Sequence, residues 1–233
     1  TTTYEVTVVI TDTTMPVIDI TTSELTYEIK TVLTESQVIT DANIVVTDNS
    51  GATITPTVDL GAVNINQIGT YTTTVTAKDG MNNEAIAGTI TIHIVDTIAP
   101  TITGATNLTY EAGTMITAEQ FIVDAAISVI DNSGESITPI IDFADVDFNT
   151  PGTYEVIVSA TDSQGNTGTF EVTIFITDTT IPTINITTAE LTYEIGSTLT
   201  ESQVIADANI SVTDNSGATI APTLNLSVVN ANV

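Results

Sequence analysis

The sequence predicts an all-β chain built as a row of small sandwich domains, and three observations carry that reading. The apolar residues are mostly Ile and Val, and about one residue in five is Thr; these β-branched side chains are stiff at the first torsion and suit pleated strands. Apolar and polar residues alternate with a period of two, as where Phe170, Val172, Ile174 and Ile176 interleave with Glu171, Thr173 and Phe175. Three unrelated motifs also recur at one spacing. LTYE stands at Leu25–Glu28, Leu108–Glu111 and Leu191–Glu194, and DNSG at Asp48–Gly51, Asp131–Gly134 and Asp214–Gly217, both at one constant interval. A D-T-x-x-P junction at Asp12–Pro16, Asp96–Pro100 and Asp178–Pro182 keeps the same interval to within a single position.

The repeat sets the domain boundaries. Residues 13–96 and 97–178 are two full repeats, and 179–233 is a partial one lacking the last two strands. Residues 1–12, TTTYEVTVVITD, match the last strand of a repeat, as in TGTFEVTIFITD ending at Asp178. Residues 20–67 and 186–233 agree more closely with each other than with the middle repeat, so a longer period spanning a pair of repeats lies above the shorter one. That pattern reads as duplication of a domain pair within a longer array.

Each repeat yields its elements in order. LTYE is an early strand and DNSG a turn; Pro151-Gly152 marks the turn before the penultimate strand, Tyr154, Val156, Val158 and Ala160 its inner face. Thr161–Asn166, TDSQGN, is a hairpin connection into the final strand, and the first repeat answers with Ala77–Asn82 before Ile90, Ile92 and Ile94. Glu35–Ile39 and Glu119–Val123 are expected to form a single helical turn each. About seven short strands per repeat fits a sandwich with regularly spaced turns.

Composition excludes several classes of function. With 2 basic and 29 acidic residues and a net charge of -27, the surface repels nucleic-acid phosphates and anionic membranes and suits cations. There is no cysteine and a single histidine, so disulfides, thiolate metals and cysteine nucleophiles fall away together. His93 lies on the strand face opposite Ile90, Ile92 and Ile94 and reads as an outward residue. With no G-x-S-x-G and no distinct pair of carboxylates in a cleft, the chain is expected not to be an enzyme. No apolar run reaches the ~18 residues that span a bilayer. The N-x-[ST] sequons at Asn107, Asn185, Asn209 and Asn225 are what a Thr- and Asn-rich chain contains by chance.

The order D-T-x-x-P, Y-E-x-G, x-x-D-N, G-T-Y and A-T-D-x-x-G-N resembles the bacterial Ig-like and HYR-like tandem repeats of cell-surface adhesins and biofilm matrix proteins. The middle repeat carries it at Asp96–Pro100, Tyr110–Gly113, Ile130–Asn132, Gly152–Tyr154 and Ala160–Asn166. The first departs from it at Ala77–Asn82, which puts any role for Asn82 or Asn83 in doubt. The resemblance implies tandem immunoglobulin-like β-sandwich domains in a linear rod, outside the cell, on its surface or in a secreted fibre.

The repeated acids are the candidate ligands. If the turn after the second strand and the last hairpin share one pole, Asp131 and Asp162 face Asp96, with Glu28 approaching from the preceding repeat. The matching sets are Asp12, Asp48 and Asp79, and Glu111, Asp178 and Asp214. The arrangement is similar to cadherins, where calcium at domain junctions stiffens a rod. Calcium takes six to eight oxygens from carboxylates, amides, carbonyls and water. The competing reading is turn chemistry alone, since Asp, Asn, Ser and Gly recur in turns for their own reasons.

Function follows as an expectation: non-catalytic spacer repeats of a long adhesin or fibre. The expected partners are neighbouring repeats of the same chain and other copies in a fibre. Two alternatives stand beside it, a ligand-binding adhesion module and a subunit of a strand-complemented filament.

Overall fold

The period of the sequence reappears as a repeated order of elements in the structure, a computed structural model that describes residues 2–229. Thr1, where the expected strand 1–12 begins, and residues 230–233, the end of the partial repeat, lie outside the described residues. The first repeat contains β1 (Val17–Ile20), β2 (Glu24–Glu28), α1 (Glu35–Asp41), β3 (Ile44–Thr47), β4 (Thr57–Val58), β5 (Gly69–Thr76) and β6 (Gly88–Val95). The second contains β7 (Thr101–Thr103), β8 (Asn107–Glu111), α2 (Ala118–Asp124), β9 (Ser128–Ile130), β10 (Ile140–Asp142), β11 (Gly152–Thr161) and β12 (Thr167–Thr177). The third shows β13 (Thr183–Ile186), α3 (Glu201–Asp207) and β14 (Ile210–Thr213).

Each full repeat thus has six strands and one helix rather than seven strands. In the first, β1 and β3 form an antiparallel pair, and a mixed sheet runs in the order β2-β6-β5-β4, with β2 parallel to β6. Leu25, Val58, Val75, Ile90, Ile92 and Ile94 of the four-stranded sheet share one core with Ile44, and Ile18 and Ile20 pack against it. Two layers around a single core make this an all-β sandwich. The second repeat copies the plan: β7 pairs β9, and the larger sheet runs β10-β11-β12-β8. Its core of Val156, Val158, Ala160, Val172, Ile174 and Ile176 is extended by edge-on contacts among Phe121, Phe143 and Phe148. The alternation in β11 and β12 holds, with Glu171 and Phe175 outward.

The helices are longer than the single turn expected, at seven residues each, because both ends are fixed. Thr34, Thr117 and Thr200 accept the N–H of Gln37, Gln120 and Gln203, a T-x-x-Q cap of one orphan donor. Beyond the last turn Asn43, Ala126 and Asn209 take the left-handed conformation at φ 48, 49 and 50°. Val38 and Phe121 are buried and anchor the first two helices to their cores.

The third repeat exposes what the last two strands do elsewhere. Leu25–Glu28 forms a strand because β6 lies beside it, and Asn107–Glu111 because β12 does. The identical LTYE at Leu191–Glu194 forms no strand, and α3 buries none of its residues. An open apolar groove of about 350 Å³ remains, lined among others by Ile186, Leu191, Val204, Ile210 and Leu226. Residues 2–12, expected as a final strand, enter no ladder among the described residues.

Two compact units divide the chain. One comprises Thr1–Pro100 with Ile130–Ser136 and Asp162–Asn166; the other comprises Thr101–Val129, Ile137–Thr161 and Thr167–Val233. The DNSG turn and hairpin tip of the second repeat therefore belong with the first.

Candidate cation sites

DNSG builds the same turn three times. One oxygen of Asp48, Asp131 and Asp214 accepts the N–H and hydroxyl of Ser50, Ser133 and Ser216, and the Asp carbonyl accepts the N–H of Gly51, Gly134 and Gly217. These glycines sit at φ 67, 75 and 68°, where a side chain is strained. The Ser hydroxyls hold Asp48 and Asp214 below the ordinary carboxyl range, helped by the Ser N–H groups. Turn chemistry uses only Oδ1. The Oδ2 of all three aspartates is buried with no hydrogen-bond partner.

The hairpin acids are held differently. Asp79 accepts the N–H groups of Met81 and Asn83 on Oδ1 and the Asn83 amide on Oδ2, and Asp162 repeats this with Gln164 and Asn166. Burial opposes ionisation of Asp162, yet the Asn166 side chain and backbone outweigh it and lower its pKa. The same two amides donate to the backbone carbonyls of Asp12 and Asp96 at 3.2 Å, tying hairpin to junction. Asn83 thus does what Asn166 does, despite the altered hairpin sequence around it. The four-residue step from Asp to Asn is what survives.

These loops assemble two acid triads within the first unit, Asp12 with Asp48 and Asp79, and Asp96 with Asp131 and Asp162; within each, carboxylate oxygens lie within 4.8 Å of one another. Asp96 and Asp162 are each only 6% exposed. Burial pushes the Asp96 carboxyl up, with the Asn132 amide and the Ile98 N–H pulling it partly back. Such a triad leaves carboxylates close together, partly desolvated and short of partners.

Glu28 and Glu111 fall outside both triads. Glu28 accepts the N–H and hydroxyl of Thr97 at 2.8 and 2.9 Å and the Asn132 amide at 3.2 Å. Glu111 accepts the N–H and hydroxyl of both Thr179 and Thr180 at 2.7 to 3.0 Å. The Thr179 N–H is the largest of the pulls that hold its pKa at about 2, against some opposition from burial. Asp178 is exposed and lies beside Asp214, and this third set forms no triad among the described residues. His93 is half-buried on the outer face and shares a hydrogen bond with the Thr70 hydroxyl.

Sequence reasoning missed Asn132, Asn166 and Asn215, which stand within quoted motifs, and doubted Asn83, which lies one residue past the quoted hairpin. The shared period was the available signal; their amides read as turn formers until placed in space.

The Internalin K domain (D3/D4) family model matches residues 16–94 and 100–176. The chain belongs to the Internalin K D3/D4 domain family. Among curated relatives of these internalin-type repeats, Internalin I of Listeria monocytogenes serovar 1/2a is 27% identical over 90% of the chain and 12% of its own length. Hyalin of Strongylocentrotus purpuratus is 28% identical over 93% of the chain and 18% of its own length. An uncharacterized 81.3 kDa protein of Acholeplasma phage L2 is 37% identical over 58% of the chain and 19% of its own. The chain therefore spans less than a fifth of each. Among solved structures, Drosophila N-cadherin EC1-4 aligns with 71% of the chain and 50% of its own, at 15% identity and a TM-score of 0.34. No helix among the described residues is long and apolar enough to cross a membrane.

Proposed function

We propose that these internalin-type repeats are non-catalytic spacers of a long extracellular adhesin or fibre, of the Ig-like and HYR-like kind, and that calcium bound at the ends of the repeats stiffens the stalk. The observation that carries the calcium reading is the pair of acid triads in which Asp48 and Asp131 each keep one buried oxygen without a partner. Buried polar groups are nearly always paired, so an orphan next to two further acids fits a hard cation. All the donors are oxygens, which suits calcium and disfavours softer metals.

The ligands would be Asp96, Asp131 and Asp162 in one site and Asp12, Asp48 and Asp79 in the other, with calcium supplying the charge that lets three carboxylates stand together. Glu28 and Glu111 would brace the Thr that follows each junction Asp. The spacer reading rests on repetition: the best-kept parts of the repeats, DNSG and D-T-x-x-P, are loops, whereas ligand-binding loops would diverge between units. Biofilm matrix and surface fibre are the settings in which such a stalk serves, with the cell surface or secreted fibre as its location.

Thermal melting and small-angle scattering of the full chain, with calcium and with chelator, test the reading. Calcium at millimolar concentration is expected to raise the melting temperature by many degrees and to narrow the range of particle lengths. Asp96→Asn should remove most of that gain. An unchanged melt and unchanged scattering would leave the repeated acids as turn formers only.

A further inference from the structure

The joints between successive repeats differ more than the motifs that build them. At the joint of the second and third repeats, the Glu111 carboxylate accepts the N–H and hydroxyl of Thr179 and of Thr180, and the Asn215 amide as well. The same amide donates to the Ala112 carbonyl at 2.7 Å. Beside it the backbone of Gly113 lies so close to Asn215 that a Cβ would collide with the Asn215 carbonyl oxygen. Strand end, junction and DNSG turn thus meet at one carboxylate, and all of them belong to one compact unit. Hydrogen bonds to an ionised carboxylate are the stronger kind, and the pKa of Glu111 falls to about 2 with the Thr179 N–H as the largest cause.

The joint of the first and second repeats, within the other unit, has the same plan with three residues changed. Ile98 stands where Thr180 does, so Glu28 holds Thr97 alone of the two junction residues, at 2.8 and 2.9 Å. Ile98 turns its N–H to Asp96 Oδ1 instead, at 3.4 Å. Ile29 replaces Ala112, and Asn132 donates to Glu28 at 3.2 Å with no bond to the Ile29 carbonyl among the described residues. Lys30 replaces Gly113 at φ 61°, a left-handed conformation strained for a residue with a side chain. Its Nζ fills the place that a Cβ on Gly134 would take. A lysine side chain therefore stands where Gly113 lets two backbones touch.

We infer that the joint of the second and third repeats is a lock made by the protein alone, centred on Glu111, and that the joint of the first and second is a looser hinge. Every contact in the lock is protein to protein, so it stands whether or not the repeated acids take calcium. The stalk then bends mainly at the hinge, where the Asp96, Asp131 and Asp162 triad also lies. A cation held there acts where the chain's own contacts are fewer.

Amide hydrogen exchange of the full chain, read by NMR in chelator, tests the inference. The N–H groups of Thr179 and Thr180 are expected to be about tenfold better protected than those of Thr97 and Ile98. Glu111→Ala should remove that difference while the amides of β11 and β12 keep their protection, and Glu111→Gln, which still accepts through one oxygen, should retain part of it. Two further variants copy one joint onto the other. Thr180→Ile should lower the protection of Thr179 severalfold, and Ile98→Thr should raise that of Thr97. Equal protection at the two joints, or protection of Thr179 and Thr180 that survives Glu111→Ala, overturns the inference. Should Glu111→Ala loosen β11 and β12 as well, the swapped pair decides, since it leaves both glutamates in place. Every sample carries chelator, so a chain that binds no calcium would lose the calcium reading and keep the lock.

Discussion

At Asp131 the two carboxylate oxygens live in different chemistry. Oδ1 closes the turn by accepting from Ser133, and Oδ2 is buried without a partner. Asparagine keeps an acceptor for the turn and loses the charge. Asp131→Asn is therefore expected to change calcium-free stability by no more than ~1 kcal/mol, the worth of an ordinary hydrogen bond, while abolishing calcium's effect at that site; melting with and without calcium reads both. Glu111 gives a pH prediction. Its pKa is lowered to about 2 from an ordinary 4.5 by Thr179 and Thr180. A carboxyl lowered on folding adds stability that is fully present above its unfolded value and is lost as pH falls toward the folded one. In chelator, the melting temperature should drop between about pH 4.5 and 2, and Glu111→Gln should flatten that part of the curve. The competing sequence readings of these acids, turn former or ligand, describe different oxygens of one residue. No sequence pattern separates Oδ1 from Oδ2, which is why that distinction was not legible.

At the scale of elements, strands were legible where their partners were present. β6, β11 and β12 alternate inward and outward as their sequences do, because a period of two exposes one face to a core. The identical tetrapeptide LTYE is a strand twice and not a third time, so ladder partners decide what local sequence leaves open. The helices were half legible. Thr34-x-x-Gln37 and its two copies are caps that a search for apolar runs passes over, and the buried Phe121 fixes α2 in a way that only packing reveals. Phe121→Ala is expected to cost ~3–5 kcal/mol, as large-to-small changes in cores do, measured by denaturant unfolding of the full chain. Gly113 carries a second prediction. It sits at φ 78°, and a Cβ there would collide with the Asn215 carbonyl oxygen. Gly113→Ala should cost ~1–3 kcal/mol through strain and collision and should disturb the Asn215 amide, visible in its side-chain NMR signals.

For the whole molecule the governing fact is a net charge of -27, which favours solubility and strains every compact unit by self-repulsion. Monovalent salt relieves that repulsion by screening, weakly and without saturation. Bound calcium would relieve it at fixed points. Melting curves in potassium chloride and in calcium chloride at equal ionic strength should therefore separate, with calcium giving the larger and saturable rise. The repeat was the most legible feature of all, since three motifs report its period independently. What the period could not convey is that the acids of consecutive repeats meet within one compact unit, with Asp96 of the first beside Asp131 and Asp162 of the second.

Isothermal calorimetry of the full chain decides whether the orphaned oxygens of these triads hold calcium. The expected result is saturable binding at the two triads that disappears in the Asp48→Asn, Asp131→Asn double variant while the calcium-free fold survives. No binding heat up to millimolar calcium, or binding that the double variant leaves intact, would contradict it.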